Sequence, residues 1–262
     1  IFTFIYTTVF MLILIACSGD SSTKSSDSTT NSILDSANSV TIKTNNPTDS
    51  TPTYLNKDYM MGYLEYSSHP GFNLVPKKYA DREGLYLRSE TLDSFRQMAH
   101  AASREGIQLV IRSAARNFEY QKGIWVRKWN DRSEEFPNPI ERTLDILRFS
   151  SMPGTSRHHW GTEIDLNSFN NTFFEKGGQG EELYKWLQKN ARNYGFYQPY
   201  TDKSGGRTGY QEEKWHWSFF PVAKELTDFA ADNHHDSLLL GFPGSEYADS
   251  LNIVENYVLG VE

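Results

Sequence analysis

Apolar positions along this chain fall into three regimes. Ile1 to Ala16 is an almost unbroken apolar and aromatic run, and Ser18 to Thr53 holds Ser, Thr, Asn and Asp with few large apolar residues. From Tyr54 onward apolar residues return at regular spacings, and a folded domain is expected there. Leu92, Phe95, Met98, Ala99 and Ala102 recur at helical intervals, with Ser89 as the expected N-cap and Gly106 as the stop. Ile107–Arg112 reads as a short buried strand, Phe118–Trp129 as a helix, and Glu141–Phe149 as a further helix before a loop through Pro153 and Gly154. Gly161–Asn167 alternates as a strand does. Leu183, Trp186, Leu187 and Ala191 predict a helix that ends near Gly195. Lys214–Phe219 predicts an aromatic-rich strand, and Val222, Leu226 and Phe229 a last helix after Pro221. Helices and strands mix without βαβ regularity, so the expected class is α+β. Residues 233–262 either pack on the domain or form a short tail.

The opening run is short for a membrane-spanning helix but suits the apolar core of a secretion signal. It ends in Leu14-Ile15-Ala16-Cys17, which resembles the lipobox of bacterial lipoproteins. The small residue fits the signal peptidase pocket, and the thiol of Cys17 would carry the lipid. The chain begins at Ile1, so an initiator Met and a basic leader are expected before it. Residues 1–17 are thus expected to form a lipoprotein signal peptide. Residues 18–53 would be a disordered tether, too polar to offset the entropy of ordering. Residues 54–232 would be the domain and 233–262 a C-terminal extension. The plainer alternative is a secretion signal with an incidental Cys; both readings put the protein in the cell envelope, outside the cytoplasm.

A formal charge of −7 argues against nucleic acid as a partner. With one Cys there is no intrachain disulfide and no Cys-based zinc site, so a metal must be held by His, Asp or Glu. Aromatics at 14% supply a core and can line a groove for peptide or sugar.

Two segments carry candidate chemistry. One is Ser156-Arg157-His158-His159-Trp160-Gly161-Thr162-Glu163-Ile164-Asp165; the other is Glu213-Lys214-Trp215-His216-Trp217. A catalytic zinc takes three nitrogen or oxygen ligands and keeps one position open for water, and His158, Asp165 and His216 can supply that set. Glu213 lies three residues before His216, placed to take a proton from water and return it to a leaving amine.

The first segment resembles the Ser-x-His-x-x-Gly-x-Ala-x-Asp motif of D-alanyl-D-alanine carboxypeptidases of the VanY type, and the second resembles that family's Glu-x-x-His motif. Arg112-Ser113-Ala114-Ala115-Arg116-Asn117-Phe118-Glu119-Tyr120-Gln121 is similar to its Ser-x-x-Arg-Ser-x-x-x-Gln segment. Gly195-Phe196 and Thr208-Gly209-Tyr210 also sit where the family has similar residues. The resemblance covers roughly 54–230, with the motifs in order.

It implies a small antiparallel sheet with flanking helices, in the fold shared with lysostaphin and the hedgehog signalling domain. It implies one Zn2+ per chain on His158, Asp165 and His216, with Glu213 as general base and acid. Arg116 would steady the oxyanion or grip the terminal carboxylate. Ser113 and Gln121 would hydrogen-bond the peptide, and Ser156 would sit near its carboxylate end. Two departures stand out. Glu163 replaces a small residue and shares a strand face with Asp165, so it is expected to bind a substrate amino group. Asn117 replaces a Ser and puts one hydrogen bond in question.

Plainer roles are expected elsewhere. His159 would hydrogen-bond nearby or line the cleft, and Trp160, Trp215 and Trp217 would be core or cleft wall. His234-His235 reads as a solvated helix end, His69 and His100 as structural. Ser156 lacks the Gly-x-Ser-x-Gly setting of a serine hydrolase. The expected reaction is release of terminal D-Ala from peptidoglycan stem peptides. Alternatives are an L,D-carboxypeptidase acting on tetrapeptides, a peptidoglycan endopeptidase, a zinc-stabilised wall-binding module without turnover, and a tethered surface adhesin.

Overall fold

The structure, a computed structural model, describes residues 52–261. The apolar run, Cys17 and all but the last two residues of the expected tether lie outside them. Among the described residues no helix is long and apolar enough to cross a membrane.

The domain is α+β, as expected. Its centre is a four-stranded antiparallel sheet of β3 (Ile111–Ser113), β4 (Glu163–Leu166), β5 (Phe196–Tyr197) and β6 (His216–Phe219), in the order β3-β4-β6-β5. A separate hairpin pairs β1 (Phe72–Leu74) with β2 (Tyr86–Arg88). All residues of β4 and β6 are buried. Ile164, Leu166, Trp217 and Phe219 form one apolar face, while Glu163, Asp165, His216 and Ser218 form the other by the period of two.

The helical periodicities are realised in α2 (Ser89–Arg104), α3 (Phe118–Asp131), α4 (Pro139–Ile146), α6 (Glu181–Asn190) and α7 (Phe220–Asn233). Three short helices, α1 (Lys57–Met61), α5 (Asn171–Phe174) and α8 (Ala248–Leu251), were not expected. In α2 the expected cap is displaced: β2 runs straight into the helix, Arg88 occupies the N-cap position, and Ser89 is already helical. The Ser89 hydroxyl instead accepts from Asn73 Nδ2 at 2.9 Å. β3 is shorter than Ile107–Arg112 because Asn167 takes over its backbone bonds. Asn167 Oδ1 accepts from Val110 N–H, and Asn167 N–H donates back to the Val110 carbonyl.

Residues 233–261 pack on the domain. Leu239, Phe242, Ile253, Val254 and Val258 join its core, and Trp125 of α3 donates Nε1–H to the Pro243 carbonyl at 2.8 Å. Gly209 lies so close to this segment that a Cβ would stand 2.2 Å from the Asn256 carbonyl oxygen.

His234, expected at a solvated helix end, is 3% exposed, and neither ring nitrogen has a hydrogen-bond partner. Burial, with the neighbouring His235, pushes its pKa down to about 4. The unfolded ring titrates near 6.5, so between about 4 and 6.5 the unfolded chain binds more protons. The stability this neutral ring contributes is therefore fully present above about pH 6.5 and is lost as pH falls through about 4, a difference on the order of 3 kcal/mol. Denaturant midpoints at pH 7 and pH 4 should differ less in His234→Leu than in the unsubstituted chain. Equal differences would contradict a neutral buried ring.

Candidate active site

Sheet register brings the candidate ligands together. Asp165 pairs with His216 across β4 and β6, and directly opposed residues share a face. His158 arrives from the tight turn Arg157–Trp160 that precedes β4. Gly161 ends that turn at φ 71°, where a Cβ would meet the Phe72 ring at 2.3 Å. The left-handed backbone and the ring contact both require glycine. His158 Nδ1 lies 2.8 Å from the Ala114 carbonyl, so it carries the proton and Nε2 keeps its lone pair.

That Nε2 is buried without a hydrogen bond, 3.3 Å from Asp165 Oδ2, while His216 Nδ1 lies 3.0 Å from Asp165 Oδ1. One ligand atom from each of the three residues lies within 4.8 Å of the others. Donors on a tetrahedral ion at about 2.0–2.1 Å stand roughly 3.3 Å apart, so this set fits a small divalent cation. The orphaned Nε2 of His158 is the kind of buried group that a cation would satisfy.

Among themselves, the buried carboxylates and imidazoles compensate one another's charge. Burial pushes the Asp165 carboxyl up, but His158 and His216 outweigh it and hold it well below the usual range. Burial lowers His216, yet hydrogen bonds to Asp165 and Glu163 raise it to about 9. Glu213 stands 3.7 Å from His216 Nδ1 because a turn joins them, with His216 N–H on the Glu213 carbonyl at 3.2 Å. Burial, aided by the Asp165 charge, lifts its carboxyl to about 8.

These groups open onto a cavity of about 630 Å3 lined also by Arg116, Gln121, Lys128, Phe149, Tyr200 and Trp215. Among the described residues Arg116 enters no ion pair, and its Nε is buried without a partner. Gln121 Nε2 donates to the Ser151 carbonyl at 2.8 Å, which leaves Oε1 as an unmet acceptor.

Three residues expected at the substrate stand elsewhere. Glu163 is wholly buried behind His216 and faces no solvent, so it cannot meet a substrate amine. Ser113 is buried in β3 opposite Asp165, and Ser156 is buried at the head of the His158 turn; neither lines the cavity. Asn117 caps α3 by accepting Tyr120 N–H at 2.9 Å, a task that Ser performs equally, so this departure leaves the helix intact. His159 is structural: Nδ1 meets the Arg116 carbonyl at 2.5 Å and Nε2 accepts Gly154 N–H at 3.1 Å. Trp160 is core, and Trp215 is cleft wall.

Sequence reasoning passed over Lys128 and Arg157. Lys128 follows Gln121 by seven residues and Ile124 by four on one face of α3, a helical signal that was available. Arg157 gave no such signal.

The chain resembles known proteins. The family model for VanY, D-alanyl-D-alanine carboxypeptidase, matches residues 84–222. YodJ of Bacillus subtilis (strain 168) is 30% identical over 149 residues, 56% of this chain and 50% of the relative. A D-alanyl-D-alanine carboxypeptidase of Enterococcus faecalis (strain ATCC 700802 / V583) is 25% identical over 142 residues, 53% of this chain and 48% of the relative. The chain thus spans about half the length of these curated relatives. Among solved structures, the LdcB LD-carboxypeptidase aligns at TM-score 0.46 and 25% identity, covering 68% of this chain and 77% of that one. Because the family model spans more than half of the chain and its segments carry the converging side chains, the protein belongs to the VanY family of D-alanyl-D-alanine carboxypeptidases.

Proposed function

We propose that the chain is a zinc-dependent D-alanyl-D-alanine carboxypeptidase that removes the terminal D-Ala from peptidoglycan stem peptides. The observation that carries this is the convergence of His158, Asp165 and His216 with Glu213 and Arg116 on one cavity. Two imidazoles and one carboxylate favour one Zn2+ over harder cations. Bound there, zinc supplies a Lewis acid that polarises the scissile carbonyl and makes water a better nucleophile.

The remaining work falls to side chains. Glu213, beside His216, takes the proton of the attacking water and delivers it to the leaving D-Ala amine. Arg116 offers an uncommitted guanidinium to the substrate's terminal carboxylate or to the oxyanion. Gln121 Oε1 is free to accept a peptide N–H. Anchoring in the cell envelope through a lipid on Cys17 belongs to the same proposal and rests on sequence alone; an unmodified Cys17 in the mature chain, by mass, would refute it.

The test is incubation of the zinc-loaded chain with stem pentapeptide and tetrapeptide, with products followed by mass. Loss of one D-Ala from the pentapeptide alone is expected. Release from the tetrapeptide alone would make the enzyme an L,D-carboxypeptidase. Cleavage only of cross-linked peptides would make it an endopeptidase, and no cleavage with zinc bound would leave a binding module.

A further inference from the structure

We propose that Glu163 is a positioning residue for the metal site: it fixes the His216 ring with Nδ1 toward Asp165 and His158, and buried Arg157 anchors it in turn. The inference rests on His158, Asp165 and His216 holding a metal.

Glu163 and Asp165 lie on the same face of β4, and Glu163 pairs with Ser218 as Asp165 pairs with His216. The His216 ring therefore sits between two carboxylates. Its Nδ1 is 3.0 Å from Asp165 Oδ1, and its Nε2 is 2.8 Å from Glu163 Oε2. With Nε2–H donated to Glu163, the lone pair of the neutral ring is on Nδ1, on the cavity side. Rotating the ring would break both contacts. A carboxylate behind a ligating imidazole fixes its tautomer and raises its basicity.

The two oxygens of Glu163 have separate partners. Oε2 serves His216. Oε1 accepts from the Ser218 hydroxyl at 2.7 Å and the Thr162 hydroxyl at 3.0 Å, and lies 3.4 Å from Arg157 Nε. Arg157 is buried under the sheet and is itself fixed. It donates to Thr227 at 2.8 Å, Tyr197 at 2.9 Å and Ser218 at 3.1 Å, with its guanidinium 4.6 Å from the Trp160 ring centroid. Arg157 and Glu163 neutralise each other, so the carboxylate remains charged behind the ligand although no water reaches it. The chain from α7 through Arg157 and Glu163 to His216 thus holds a cavity-facing atom by groups that never touch substrate.

The division of the oxygens sets the test. The full chain, Glu163→Ala and Glu163→Gln are compared for zinc affinity by chelator competition and for thermal stability without metal. Both variants remove the counter-charge of Arg157, so both should lose metal-free stability. Only Ala removes the acceptor for His216 Nε2–H. We expect Glu163→Ala to bind zinc roughly 10–100-fold more weakly, and Glu163→Gln, whose amide oxygen still accepts, to recover most of that loss. A residue that only stabilised the fold would lower stability in both without moving the affinity of the folded protein. Should Glu163→Ala not fold, nitrogen-15 spectra of the unsubstituted zinc-loaded chain decide: His216 should carry its proton on Nε2. Wild-type affinity in folded Glu163→Ala, or a His216 protonated on Nδ1 with zinc bound, would overturn the inference. If the unsubstituted chain binds no zinc, the metal reading falls first and the inference falls with it.

Discussion

Glu213→Gln should lower kcat for D-Ala release by roughly 10²–10⁴-fold, the range for loss of a general base and acid, while zinc content stays unchanged. The substitution keeps the size of a side chain that is 7% exposed, so neither packing nor cavity shape should change much. On the proposed mechanism it removes the proton carrier and leaves His158, Asp165 and His216 in place. The carboxyl stands beside His216 but is not one of the three converging side chains that could hold a metal. Zinc stoichiometry and kcat measured on one preparation therefore separate the roles: a ligand would lose metal, whereas a proton carrier loses turnover alone. Glu213→Gln with kcat within a few-fold of the unsubstituted chain would remove Glu213 from the reaction.

Asp165→Asn is expected to have the opposite signature. Asp165 is 4% exposed and offers one oxygen to each imidazole, at 3.3 and 3.0 Å. Its amide isostere keeps the shape but removes the only negative charge among the three proposed ligands. Zinc affinity should fall by more than the roughly 10–100-fold that loss of a supporting residue costs, and activity should return only in excess zinc. Equilibrium dialysis against graded free zinc measures this directly; unchanged affinity would show that the three side chains are not the metal's ligands.

Most of the site was legible before any coordinates because its signals are local. His158 reaches the site through a turn that enters the strand carrying Asp165, and His216 lies one turn after Glu213. Residue type and spacing were enough to group them, and strand alternation correctly put Glu163 on the face of Asp165. Alternation could not show what stands behind that face. Arg157 meets Glu163 only because the turn before β4 tucks it beneath β6 and α7, a non-local contact with no trace in periodicity. A carboxylate on the face of Asp165 was therefore read as reaching for substrate, whereas it hydrogen-bonds His216 from behind.

The helices followed the same division. Periodicity found α2, α3, α6 and α7, whose apolar stripes face the core, while β1 and β2 are three residues each and too short to carry a period. Ser89 resembles an N-cap in sequence but lost that place to Arg88, because the preceding strand leaves no turn in which a cap could form. The tail was ambiguous for the same reason as Arg157. Its apolar residues, Leu239, Phe242, Ile253, Val254 and Val258, are scattered among turns and become a core face only against the rest of the domain.

The central proposal is that one zinc ion held by His158, Asp165 and His216, together with Glu213, serves hydrolysis of a D-alanyl–D-alanine bond. Its most direct test is D-Ala release from stem pentapeptide by the full chain, before and after chelation and after return of one equivalent of zinc. The account predicts release that stops on chelation and resumes with that single equivalent. Release that continues undiminished in the chelated protein would contradict it.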